Sequence, residues 1–178
     1  MFIELLRKRR SIRRFQDRSV EAEKLDILVE AILRSPSSRG FKPWHFVFVT
    51  DTDTIARLAQ SKAHGSAFLA GAPLAVVVCA DPAKSDVWVE DASIASLIVH
   101  LCSTDLGLGS CWIQIRKRER DDRQSAEAHV IETLGLNPGV KVEAIVAIGY
   151  PAEEKPGHEF STLLFDRVSY EMFGKAKG

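Results

Sequence analysis

Pro73-Leu74-Ala75-Val76-Val77-Val78-Cys79-Ala80 runs for eight residues without a charged or hydrogen-bonding side chain other than one thiol. A strand that faces water on one side alternates apolar and polar residues, whereas this one does not alternate, so both of its faces must be covered. Helices are therefore expected on both sides of a sheet. Downstream, Asp91 to Leu106 carries Ala92, Ile94, Ala95, Leu97, Ile98, Val99, Leu101 and Cys102, apolar nearly all round, as in a central helix buried by its neighbours. Gly107 ends it. Ser110 to Ile115 and Val142 to Ile148 read as further strands, and Ala126 to Leu134 as a helix closed by Gly135. Upstream, Leu25, Leu28, Val29, Ile32 and Leu33 form one helical stripe that stops before Ser35-Pro36-Ser37-Ser38. His45 to Thr50 is β-branched and aromatic, and a short helix is expected around Ile55 to Ala59.

At 178 residues and 19.8 kDa, with 46% hydrophobic residues, the chain suits one well-filled core. The expectation is a single domain spanning 1–178. Lys plus Arg number 24 and Asp plus Glu also 24. With zero net charge there is no overall attraction for nucleic acid, and any basic patch has a local purpose. Cys79, Cys102 and Cys111 show no Cys-x-x-Cys spacing, so neither a disulfide framework nor a zinc site is expected. The stretch between Asp91 and Asp105 is too short for a membrane span. The Arg-rich start resembles a transit peptide, but Glu4 and the apolar face of Phe2, Leu5 and Leu6 favour a first helix, and cytoplasmic residence follows.

Several chemistries drop out. There is no P-loop and no Gly-x-Ser-x-Gly elbow. Trp112 stands where a dinucleotide fingerprint would place its third glycine, and His45, His64, His100, His129 and His158 lack metal-ligand spacing. What stands out is Arg7, Lys8, Arg9, Arg10, Ser11, Arg13 and Arg14, where guanidinium forks and a hydroxyl suit a phosphate monoester. Ser35 to Phe46 is a second candidate, a loop of small hydroxyls and Gly40 able to bond a polyol or ring edge. The third is Gly107 to Gln114, where glycines would let backbone approach a flat ring.

In this order and spacing, these segments resemble the FMN-dependent nitroreductase superfamily. The resemblance runs through Arg9-Arg10-Ser11-x-Arg13-x-Phe15, Pro36-Ser37-Ser38, Pro43-Trp44-His45-Phe46, Gly71-Ala72-Pro73, Gly107-x-Gly109-Ser110-Cys111-Trp112 and Gly149-Tyr150-Pro151-Ala152-Glu153-Glu154-Lys155-Pro156. It implies an α+β fold, with a central mixed sheet between helical layers in three-layer α/β/α order, assembled as an intertwined homodimer with FMN at the interface. Arg9, Arg10, Ser11 and Arg13 would hold the phosphate and ribityl region, helped by Lys155. Pro36, Ser37, Ser38 and Gly40 would reach the flavin of the partner subunit, and the backbone at Gln114 and Ile115 would lie by the flavin N5 edge. Lys42 would stand near the pyrimidine carbonyl or a nicotinamide phosphate. Gly40 and Lys42 replace the Asn and Gln of many relatives, and His64 does not clearly match the Asn or Lys that relatives carry before the second strand.

The implied activity is NADH- or NADPH-dependent, FMN-mediated reduction of nitroaromatics, quinones or similar flat acceptors in a ping-pong scheme. It needs no side-chain acid or base. The alternatives are a specialised flavin enzyme of dehalogenase or flavin-fragmenting type, and a non-enzymic FMN-binding protein. Residues 157–178, with Phe160, Leu163, Leu164, Phe165, Val168, Tyr170, Met172 and Phe173, are too apolar for a solvated end and are expected to exchange with the partner.

Overall fold

A computed structural model describes all 178 residues. Four strands, β1 (Trp44–Val49), β2 (Leu74–Ala80), β3 (Gly109–Gln114) and β4 (Lys141–Gly149), form one sheet in the order β1-β2-β4-β3. Each neighbouring pair is antiparallel. The parallel component of the expected mixed sheet is, within one chain, a single bridge between Ser11 and Ser110.

β2 is buried at all seven residues, and its two faces feed separate cores. Ala75, Val77 and Cys79 point into a cluster with Ile55, Leu58 and Val130, beneath α3 (Thr52–Leu58) and α5 (Ala126–Leu134). Leu74, Val76 and Val78 meet Leu28, Ile32, Ala95 and Val99 from α2 (Ala22–Leu33) and α4 (Trp88–Asp105). The uninterrupted apolar run thus has a direct cause, since the period of two sends its residues to alternate cores. This is the expected three-layer α/β/α, α+β architecture.

Local chemistry sets the helix ends. Asp51 caps α3 by accepting from the Thr54 N–H at 2.8 Å, Ser125 caps α5 through the Ala128 N–H at 3.1 Å, and Gly135 closes α5 at φ 62°. No helix is long and apolar enough to cross a membrane.

The short α1 (Phe2–Lys8) releases an extended segment that crosses the ends of β3 and β4. Ile12 N–H donates to the Ser110 carbonyl at 3.0 Å, Gln16 N–H to Tyr150 at 2.8 Å, and Ala152 N–H to Arg14 at 2.9 Å. Gly109 makes this crossing possible, because a Cβ there would lie 2.8 Å from Ile12. The glycine therefore admits the chain's own isoleucine, which corrects the expectation that it clears space for a flat ring.

Candidate functional site

The arginine-rich segment leaves α1 at Arg9, whose backbone turns extended at φ −59°, ψ 124°. The Arg9 guanidinium lies 3.1 Å from His100 Nε2. Because a guanidinium only donates, Nε2 must accept, so Nδ1 carries the proton and donates to Ser110 Oγ. Burial, aided by the Arg9 charge, pushes His100 down to about 4 and keeps it neutral at pH 7. A histidine with no ligand spacing is thus the support that orients Arg9.

The chain after β4 completes this end. Arg10 donates to the Pro156 carbonyl, Lys155 Nζ donates to the Ser11 carbonyl at 2.9 Å, and Lys155 pairs with Glu153 at 3.0 Å. Glu153 also accepts from the Arg13 N–H at 2.6 Å, and these contacts hold its carboxyl below the usual range, the Arg13 N–H foremost. Arg10, Lys8 and Lys155 face a cleft of about 500 Å³ floored by Gly107 and Gly109. One guanidinium and two ammonium groups beside a glycine floor are a donor set that fits a phosphate dianion.

Further along the same sheet edge, Arg13, Lys62 and Gln114 share a second cleft of about 480 Å³ with Trp112. The Gln114 side chain is committed, accepting from Trp112 Nε1 at 2.9 Å and donating to Glu143 at 3.1 Å. Its backbone is not. Ile115 N–H donates inward to the Glu143 carbonyl at 3.1 Å, and the Ser110 carbonyl turns outward to Ile12. Antiparallel alternation then turns the N–H groups of Trp112 and Gln114 to the open edge of β3. Ile115 is wholly buried with its N–H spent on β4, whereas the Gln114 N–H faces outward.

The loop Pro36 to Lys42 lies before β1, on the edge of the sheet opposite β3, and neither cleft is lined by any of its residues. The Ser38 N–H donates to Asp91 Oδ1 at 2.8 Å, and the Ser37 hydroxyl accepts from the Lys42 N–H at 2.9 Å. Arg39, Gly40 and Lys42 all adopt positive φ, and the Lys42 side chain is exposed. One chain therefore does not bring this loop to the arginines.

Sequence reading missed His100 and Lys62. The helical spacing of α4 marks His100 only as part of a buried helix, and Lys62 joins Arg13 and Gln114 in one cleft only through the tertiary fold. His64, its neighbour in sequence, is exposed, as are His45 and His158. No group of three or more His, Cys, Asp or Glu is placed to hold a metal ion.

The nitroreductase family pattern matches residues 6–99. This chain belongs to the nitroreductase family. An FMN-dependent nitroreductase from Clostridium difficile R20291 is 45% identical and superposes with a TM-score of 0.94 over 96% of this chain and 99% of that one. An NADH dehydrogenase of Thermus thermophilus is 40% identical, covering 90% of this chain and 91% of the relative. A protein of Archaeoglobus fulgidus provisionally named NADH dehydrogenase/NAD(P)H nitroreductase is 34% identical over 161 residues, 88% of this chain and 89% of its own length. The nitroreductase fold and an oxidoreductase lineage are thereby established for this member.

Proposed function

We propose that this nitroreductase-family chain is a cytoplasmic, FMN-dependent oxidoreductase that uses NADH or NADPH to reduce nitroaromatics, quinones or similar flat acceptors, and that it works as a homodimer. The observation that carries the reading is the pair of donor-lined clefts at the two ends of β3, either side of the Ser11–Ser110 bridge. Guanidinium and ammonium groups stand at one end and the outward Gln114 N–H at the other. FMN, when bound, supplies hydride transfer at its ring.

Arg9, Arg10 and Lys155 would hold the phosphate, with Ser11 and Arg13 along the ribityl chain. Arg13 and Lys62 would face the pyrimidine side of the ring, where positive charge favours electron density gained on reduction. The Gln114 N–H would bond the ring edge. Pro36, Ser37, Ser38 and Gly40 would come from the partner subunit, which agrees with their position on the far edge of the sheet, and Lys42 would stand beside that loop. No side-chain acid or base is assigned.

An intertwined dimer is supported by surface that one chain leaves uncovered. Phe160 is 70% and Met172 68% exposed, and residues 158–178 are exposed throughout. The outer edge of β1 borders an apolar groove of about 280 Å³ between Val29, Leu33, Phe46 and Phe48, a complementary place for a partner's tail.

The deciding experiment is the absorption spectrum of the purified protein, followed by anaerobic titration with NADH and NADPH and initial rates with menadione. Bound FMN, bleaching by nicotinamide and parallel double-reciprocal lines are expected. A colourless protein that takes up no FMN removes the reading, and bleaching without turnover points to the non-enzymic alternative.

A further inference from the structure

Five cationic side chains meet beyond the Gln114 edge of β3: Arg13, Lys62, Arg116, Lys117 and Arg118. None of them is paired with a carboxylate. Arg118 donates only to the Lys117 carbonyl at 3.1 Å, and Arg116 lies 5.7 Å from the centre of the Trp88 ring. The nearby Glu143 carboxylate is buried, takes the Gln114 amide at 3.1 Å through one oxygen and offsets part of the Arg116 charge without forming an ion pair, which leaves the rim with excess positive charge. Burial and the repulsion of Arg118 push the Lys62 ammonium below its usual range. The cluster is self-repelling, concave and walled on one side by the Trp112 indole.

FMN does not account for this charge. Its phosphate dianion would be held by Arg10 and Lys155 in the cleft at the opposite end of β3, with Arg9 beside them, and Arg13 with Lys62 suffices for a ring that carries at most one negative charge. Arg116, Lys117 and Arg118 remain surplus, in the direction a second ligand on the ring would extend. Resting on the functional reading above, we infer that the substrate pocket is built for a flat aromatic molecule bearing an anionic oxygen group, a carboxylate or phosphate, which Arg116 and Arg118 grip while the aromatic body lies on the flavin. The same chemistry is offered by an acidic acceptor and by the 2′-phosphate of NADPH.

The test compares 4-nitrobenzoate with 4-nitrobenzamide, and NADPH with NADH, in the FMN-loaded protein and its Arg116→Gln/Arg118→Gln double variant. For an acidic acceptor, KM for the benzoate should lie at least tenfold below that for the amide at low salt. The gap should narrow with added salt and close in the variant. If NADPH supplies the anion, the variant instead loses at least tenfold in NADPH over NADH. Calorimetric titration with unreactive benzoate and benzamide reads the groove without turnover, and benzoate should bind more tightly only in the wild type. Equal handling of acid and amide, with an unaltered NADPH-to-NADH ratio in the variant, overturns the inference. So does a variant whose sole defect is weaker dimerisation by light scattering, because the cations would then face the partner. A protein that holds no FMN and reduces neither compound, yet binds benzoate through these arginines, would overturn the functional reading and leave the cationic, anion-binding groove standing.

Discussion

Between Arg9 and Ser110, the His100 ring has both nitrogens engaged, and its burial makes the protonated form expensive. Its folded pKa of about 4 lies below its ordinary 6.5, so the unfolded chain takes up a proton first as pH falls. The stabilisation is fully present above pH 6.5 and is lost between 6.5 and 4, amounting to on the order of 3 kcal/mol. Urea midpoints should therefore drop across that window in the wild type and fall less steeply in His100→Gln; identical pH profiles would remove the assignment. The phosphate role of its neighbour is tested separately. Arg9→Ala or Arg10→Ala should weaken FMN roughly tenfold to a hundredfold and riboflavin little, as expected for charge-assisted bonds worth about 1.5–3 kcal/mol. Equal losses for both flavins, measured by fluorescence titration, would argue against phosphate contact. Arginines in a run are legible as a local concentration of positive charge. The histidine behind them is not, because its partners come from residues 91 positions upstream and 10 downstream.

Elements are positioned here by a few close approaches between segments distant in sequence. Gly109 begins β3 against Ile12, and an alanine there would force a Cβ to 2.8 Å from the isoleucine side chain. Gly109→Ala should destabilise the fold by about 1–3 kcal/mol in chemical denaturation, with partial recovery in Gly109→Ala/Ile12→Ala. A neutral single variant would mean that the N-terminal segment is free to shift. Asp91, in the first turn of α4, accepts from the Ser38 N–H at 2.8 Å and from the Ser85 hydroxyl at 3.2 Å. Asp91→Ala leaves that amide without its acceptor and should cost about 1–3 kcal/mol. Hydrogen exchange should localise the loosening to Pro36 to Lys42, and unchanged protection there would show that the loop is held by its own turns. The elements themselves follow the hydrophobic periods closely, and β2 and α4 stand within a few residues of their expected bounds. The Ser38 to Asp91 tie has no periodic signal and became visible only once α4 was in place.

For the whole molecule, the decisive feature is the apolar tail after Pro156. Burial of even four of its large side chains contributes on the order of 6–12 kcal/mol before ordering costs, enough to govern association. A two-fold exchange satisfies both copies with the same surface. A chain truncated after Pro156 should lose dimerisation and FMN together, as read by light scattering and by its visible spectrum. If it remains a yellow dimer, tail exchange is abandoned; if it becomes a yellow monomer, the flavin does not need the interface.

The sequence by itself determined the three layers, because an unbroken apolar strand and an all-round apolar helix can exist only when covered on both sides. It also set a dense run of arginines near the N-terminus, whose charge asks for solvent, polar acceptors or an anion. Tertiary structure decided which donors face each cleft. Strand order put the Pro36 to Gly40 loop on the far edge from Arg9 to Arg13, hydrogen-bond alternation turned Gln114 outward and Ile115 inward, and packing set Lys62 and Arg116 to Arg118 in one cleft. Such placements depend on long-range register and charge proximity, which no local period along the chain encodes.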